Sequence, residues 1–148
     1  MIQYILRTHT EADIPFILNS FLLSYHKNSF YTHVPNEIYF PNQTAIIYHI
    51  LRTSNVLLAV YPEDTQEIIS YILFENYNNN FLLHFIYVKA MYRNKDVATS
   101  MLNTVLAATK PKLIVATHIT NNFPTLKTKI HNTLVVYDPY ILLARMNH

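Results

Sequence analysis

The chain contains no glycine and no cysteine, and each absence excludes chemistry before any residue is placed. Without cysteine there are no disulfides and no thiolate metal sites, which suits a reducing compartment. Without glycine there is no Walker-type phosphate loop and no Gly-x-Ser-x-Gly elbow, so phosphoryl transfer and serine hydrolysis of those types are disfavoured. Every tight turn must also use another residue. Asn best tolerates the left-handed backbone, and Asn76, Asn78, Asn79 and Asn80 cluster at one expected hairpin.

Charge is scarce too. Eleven Lys and Arg against nine Asp and Glu give a formal net charge of +2, and no block of like charge stands out. A nucleic-acid or membrane-surface partner therefore has no electrostatic footprint, although the eight His add positive charge at acidic pH. These His form no ligand pattern on an expected helix, and no metal is expected. No apolar run reaches the roughly 18 residues of a membrane span. The start, Met-Ile-Gln-Tyr-Ile-Leu-Arg, lacks the features of a secretory leader. A soluble, cytoplasmic protein is the expectation.

What is present is apolar bulk. With 148 residues, 51% hydrophobic and 14% aromatic, the chain can build a core as one domain spanning 1–148. Ile2 to Arg7 reads as a strand. Asp13 is a plausible helix N-cap with Pro15 in the first turn; Thr10 with Asp13 fits a capping box but would place Pro15 too deep. Ile14, Ile17, Leu18, Phe21, Leu22 and Tyr25 then repeat at helical spacing. Residues 28 to 42 read as an aromatic, Pro-containing loop, and Gln43 to Arg52 as a second helix. Strands are expected at Val56–Tyr61, Ile68–Glu75 and Phe81–Lys89, forming a meander through the Asn-rich turn. Val97, Met101, Leu102 and Val105 mark the next helix. Lys112–His118 reads as a strand, Thr125–His131 as a weak helix, and Leu134–Tyr137 and Tyr140–Ala144 as closing strands. The order β-α-α-β-β-β-α-β-α-β-β predicts a mixed α/β (α+β) fold, a mostly antiparallel sheet flanked by helices.

The most informative segment is Phe81 to Leu106, where an apolar strand enters a short turn bearing Arg93 and Lys95 and the turn opens a helix. Free N–H groups and the positive dipole end at such a start suit a phosphate or pyrophosphate. The other reading of Arg93 and Lys95 is a pair of solvated turn charges.

Arg93-Asn94-Lys95-Asp96-Val97-Ala98, in this element order, resembles the GNAT superfamily of acyl-CoA-dependent N-acyltransferases. Its signature, Arg/Gln-x-x-Gly-x-Gly/Ala, is matched at the first and last positions, and Asp96 stands where the family has glycine. His84-Phe-Ile-Tyr-Val-Lys, Thr117-His118 and Asp138-Pro-Tyr140 are also similar to GNAT-like proteins of bacteriophages and prophages. The resemblance implies acetyl-CoA or another acyl-CoA as co-substrate and an amine acceptor, on a small molecule or a protein, attacking the thioester directly. The strand at Phe85–Lys89 would splay from that at Lys112–His118. The pantetheine arm would lie along Ile86, Tyr87 and Val88, and the pyrophosphate would sit on Arg93, Asn94, Lys95, Asp96, Val97 and Ala98. Asp96 would oppose it: unit charges about 4 Å apart at an effective dielectric near 20 interact by roughly 4 kcal/mol.

Relatives place a base on the fourth strand, which points to His84; the alternative is a packed histidine with both ring nitrogens satisfied. After the next strand, His118 is followed by Asn121 and Asn122, either of which could contact CoA or cap a helix, and Asn122 is the stronger cofactor candidate. Relatives carry a tyrosine on the last helix as acid to the thiolate. Thr125–His131 has none, leaving Tyr137 nearby on an expected strand, with His131 as a chemical substitute. Two functions follow. One is N-acyl transfer from acyl-CoA to an amine. The other is a non-catalytic GNAT-fold binding or structural protein of a phage: a virion component, an assembly factor or an inhibitor of a host protein.

Overall fold

The computed structural model describes residues 2–131 and 133–146. Strand β1 (Ile5–Thr8) leads through a 3-10 turn at Glu11–Asp13 into α1 (Ile14–Lys27), and a second 3-10 turn at Phe30–His33 leads into α2 (Asn36–Thr53). Strands β2 (Asn55–Tyr61), β3 (Asp64–Tyr77) and β4 (Asn80–Val88) follow, then α3 (Val97–Thr109), β5 (Leu113–Ala116), α4 (Phe123–Thr128), β6 (Leu134–Tyr137) and α5 (Tyr140–Met146).

The strands form a 6-stranded sheet in sequence order. The pairs β1–β2, β2–β3 and β3–β4 are antiparallel, and β4–β5 and β5–β6 are parallel. The sheet separates two cores. On one face Phe21, Tyr25, Ile47 and Ile50 of α1 and α2 bury Leu58, Tyr71 and Phe85. On the other, Val97, Met101, Leu102 and Val105 of α3 cover Ile72, Phe81 and Ile114. Covering on both faces explains why the middle of β3, Ile68 to Glu75, is buried without alternation. Phe21 and Phe85 stack with ring centroids 4.0 Å apart, which fixes α1 against the second half of β4.

The missing glycine is replaced as the composition predicts. Asn78 and Asn79, at φ 52° and 67°, make the β3–β4 turn, the left-handed pair a two-residue hairpin needs. Asn94 and Asp96 have φ 64° and 61° in the turn before α3, and Lys110 has φ 45° after it.

Several boundaries differ from the sequence reading. Helix α2 begins at Asn36 and carries Pro41 inside it, so much of the expected loop is helical. Proline removes one early backbone bond, but the Tyr39 hydroxyl donates to the Leu22 carbonyl at 2.7 Å and its ring stacks on His26. Those contacts hold the turn. Both readings near Asp13 hold in part: the Thr10 amide donates to Asp13 Oδ2 at 2.8 Å, and the helix restarts at Ile14 with Pro15 in its first turn. Tyr140–Ala144 is not a strand. It lies in α5, where the Tyr140 amide donates to Asp138 Oδ1, Leu142 is buried, and Arg145 reaches Glu75.

Candidate active site

The site arises from one extra residue in β4. Leu73 pairs with Phe85 and Phe74 with Leu83, so His84 is left over as a β-bulge. A bulge bends its strand and changes which side its backbone groups face. Before it, Phe81, Leu82 and Leu83 pair with Ile114, Val115 and Ala116 of β5, and the Thr117 amide donates to the Leu83 carbonyl at 3.0 Å. Beyond it the two strands do not pair. Lys89 donates to Ile69 of β3, so by alternation the backbone groups of Ile86 and Val88 face the gap.

That gap is a cleft of about 230 Å³. Ile86, Tyr87 and Val88 line one wall and His118 and Asn122 the other, with Arg93 and Ala98 at one end. The expected gap between β4 and β5 is therefore open. Of the predicted contacts, Ile86, Tyr87, Val88, Arg93, Ala98 and Asn122 meet there. Asn122 makes no side-chain cap on α4. The Asn121 amide donates to the Asn28 carbonyl at 2.8 Å, tying the loop after β5 to the end of α1. His131 is exposed and does not line the cleft.

Asn94, Lys95, Asp96 and Val97 line a second recess instead, against Ile2 and Tyr4. Asp96 makes no side-chain cap on α3. Its side chain is 82% exposed and meets Lys129 at 3.4 Å. The first amide known to bond back is Ser100, to the Asp96 carbonyl at 3.0 Å, and those of Val97, Ala98 and Thr99 precede it at the helix start, where no intrahelical partner exists. The amide cradle is therefore not plugged by the aspartate. Arg93 places its guanidinium over the Tyr87 ring and donates from Nε to the Val88 carbonyl at 2.9 Å. One backbone group of the open edge is thereby capped, leaving the Ile86 groups and the Val88 amide.

His84 is fully buried. Its Nε2 lies 2.8 Å from Glu75 Oε2 and its Nδ1 2.9 Å from Thr117 Oγ1. It is a satisfied histidine behind the cleft wall. Thr117 Oγ1 in turn lies 3.0 Å from His118 Nδ1, and His118 Nε2 lies 3.1 Å from the Gln43 amide nitrogen. The Phe21 and Tyr25 rings meet His118 edge-on at 5.2 and 4.8 Å. Burial, with His84 second, pushes the His118 imidazole down to about 3, so at neutral pH it is uncharged and holds one lone pair. Arg145 Nη1 donates to Glu75 Oε2 at 2.7 Å. Burial pushes the Glu75 carboxyl up, but hydrogen bonds from His84 and Arg145 outweigh it and bring it down to about 2.

Tyr137 ends β6 and is exposed, outside the cleft lining. Burial, then the neighbouring Tyr31 and Tyr140, pushes its phenol up, so it stays protonated. The imidazole that the structure places in the cleft is that of His118. The sequence marks it only by its position after β5, because neither Gln43 nor the α1 aromatics are near it in the chain. Among the described residues no group of three or more His, Asp and Glu could hold a metal ion, and no helix is long and apolar enough to cross a membrane.

The sheet order, the splay of β4 from β5 and the helix at its end define the fold of the GNAT-family acetyltransferases. The chain is similar to a putative acetyltransferase, YycN, of Bacillus subtilis (TM-score 0.67, 11% identity, covering 86% of this chain and 88% of that one). It is also similar to a GNAT-family acetyltransferase of Staphylococcus aureus Mu50 (TM-score 0.59, 21% identity, 85% and 79% covered). A GNAT-family acetyltransferase of Brucella melitensis, solved in complex with acetyl-CoA, matches at TM-score 0.57 and 11% identity over 83% of this chain and 80% of that one. No protein-family sequence model matches the chain, and no curated protein matches it in sequence.

Proposed function

We propose that this protein is an acyl-CoA-dependent N-acyltransferase. The observation that carries the reading is the open edge of β4, where the strand leaves β5 beside the start of α3. An unpaired strand edge presents N–H and C=O groups to an extended amide chain, and the pantetheine arm of CoA is such a chain. It would pair with the Ile86 groups and the Val88 amide, with Tyr87 beside it. The pyrophosphate would lie on the free amides of Val97 and Ala98. Arg93, Lys95 and Lys129 would supply positive charge, with Asn94 and Asp96 shaping the turn by their left-handed backbones. Asn122 would contact the donor from the opposite wall. The co-crystallised acetyl-CoA of the Brucella melitensis structure supports the same donor.

The acyl group would then sit at the apex of the splay, between Leu83 and His118, and the amine would attack its carbonyl directly. The enzyme's contribution is alignment and proton transfer. Tyr137, kept protonated, would serve as donor to the departing thiolate only by turning in from outside the cleft lining.

Calorimetric titration with acetyl-CoA, followed by thiol release against a panel of primary amines, tests the reading. Binding in the micromolar to millimolar range is expected, with ligand at about 100 times Kd raising stability by roughly 2.7 kcal/mol. No heat and no thermal shift at millimolar acetyl-CoA would sink it. Binding without transfer to any amine would instead mark a non-catalytic binding protein on this fold.

A further inference from the structure

We propose that His118 accepts the proton of the attacking amine, and that Thr117, His84 and Glu75 hold it in the one tautomer able to do so. The proposal rests on the acyltransferase reading and goes beyond it by assigning the base and its support. Glu75 on β3 is buried and meets Arg145 of α5 at 2.7 Å, so it is ionised. An ionised carboxylate only accepts hydrogen bonds, and its partner at 2.8 Å, His84 Nε2, therefore carries the hydrogen.

In the proposed resting state His84 is neutral and so has one N–H. With Nε2 protonated, His84 Nδ1 must accept, and the Thr117 hydroxyl at 2.9 Å must donate to it. That fixes the remaining direction: Thr117 Oγ1 accepts from His118 Nδ1–H at 3.0 Å. The lone pair of His118 is then on Nε2. The Gln43 amide of α2 donates to it at 3.1 Å, and an amine giving up a proton there must displace that buried side chain.

The row can also carry the proton onward. The ammonium N–H bond breaks and an Nε2–H bond forms on His118. The His118 Nδ1 proton moves to Thr117 Oγ1, and the Thr117 hydroxyl proton moves to His84 Nδ1. His84 becomes an imidazolium still bonded to Glu75, and Gln43 turns its carbonyl oxygen toward the new His118 N–H. One proton has entered, and the positive charge lies beside a carboxylate instead of among the Phe21 and Tyr25 rings. The freed amine forms its C–N bond. Its second proton leaves with the thiolate as the C–S bond breaks, and the stored proton returns to solvent after the products depart. Glu75 and His84 are thus positioning residues, and only His118 meets the substrate.

The test uses the full-length protein with 15N-labelled histidine and long-range 1H–15N spectra near neutral pH, beside steady-state kinetics. His118 is expected as the Nδ1–H tautomer and His84 as the Nε2–H tautomer. Thr117→Val keeps the shape but removes the hydroxyl. It should release His118 to mixed tautomers and lower kcat about tenfold with the KM for acetyl-CoA unchanged, whereas Thr117→Ser should restore both. His118→Asn should lower kcat by about 100-fold or more, the scale of general-base catalysis. An Nε2–H tautomer at His118 in the wild type, or a wild-type kcat in Thr117→Val, overturns the proposal. Absence of transfer by the wild type would overturn the acyltransferase reading and the proton-acceptor role together. The tautomer spectra distinguish that failure from a failure of the hydrogen-bonded row.

Discussion

Asp96→Gly sets two readings of the turn against each other with different magnitudes. If the carboxylate faced bound phosphates in a shielded site, removing it would relieve about 4 kcal/mol per charge at 4 Å and a dielectric near 20, roughly a thousandfold in Kd. In the structure the side chain is 82% exposed and pairs with Lys129 at 3.4 Å, among residues that do not line the cleft. Taking a separation of about 8 Å through water for this outward-turned carboxylate, a unit charge contributes only about 0.5 kcal/mol, and a pyrophosphate with two such charges about 1 kcal/mol, less with salt. The expected gain is therefore three- to tenfold in affinity for acetyl-CoA, shrinking at about 0.5 M salt. Stability should change little, because glycine relieves the left-handed backbone at φ 61° while making the unfolded chain more flexible, each effect being about 1 kcal/mol. Calorimetry of both proteins at two salt concentrations reads the outcome. A gain above 100-fold, or binding by the variant alone, would show that the carboxylate blocks the anion site and would refute this placement.

Other expectations follow from the same contacts. The Asp13 carboxyl, hydrogen-bonded by Arg7, is held down at about 2, as Glu75 is among Arg145, His84 and the nearby His49. Both folded values lie below the unfolded ones, so their stabilisation, about 2–3 kcal/mol each, is complete above about pH 5 and lost as pH falls toward 2. The buried His118, held at about 3 against an unfolded value near 6.5, adds a loss that begins below about pH 6.5; a denaturation midpoint flat only above about pH 7 and falling through the acid range checks this. Phe21→Ala, which empties a fully buried ring site, should cost about 3–5 kcal/mol in chemical denaturation. Asn79→Gly, at φ 67°, should raise Tm by about 1–3 °C, since strain relief below 1 kcal/mol is expected. Arg93→Ala should weaken acetyl-CoA binding about five- to tenfold, the loss of one exposed charge-assisted contact, with Tm nearly unchanged.

Much of this was legible in the sequence because local signals and tertiary structure agree. The α1 periodicity, the Asn turn and the α3 face all point one way, and Arg93 of the singled-out turn lines the cleft. Elsewhere tertiary contacts overruled local signals. Tyr39 bonding to Leu22 carries helix through Pro41, and Arg145 bonding to Glu75 draws the C-terminal segment into α5. The site was half legible for a related reason. Strand alternation leads to Ile86 and Val88, but the partners of His84 and His118 come from β3, β5 and α2, and no spacing along the chain encodes them. Asn94, Lys95, Asp96 and Val97 were placed in the turn, yet nothing local fixes that they face a recess other than the cleft.

The surplus residue at position 84 shifts the phase of β4. Up to Leu83 the strand's backbone is spent on holding the sheet together; from Ile86 onward the same groups are offered outward. Excising that one residue would bring the two halves into phase, so that an extension of β5 past Ala116 could pair with the outer half of β4 and close the cleft between them.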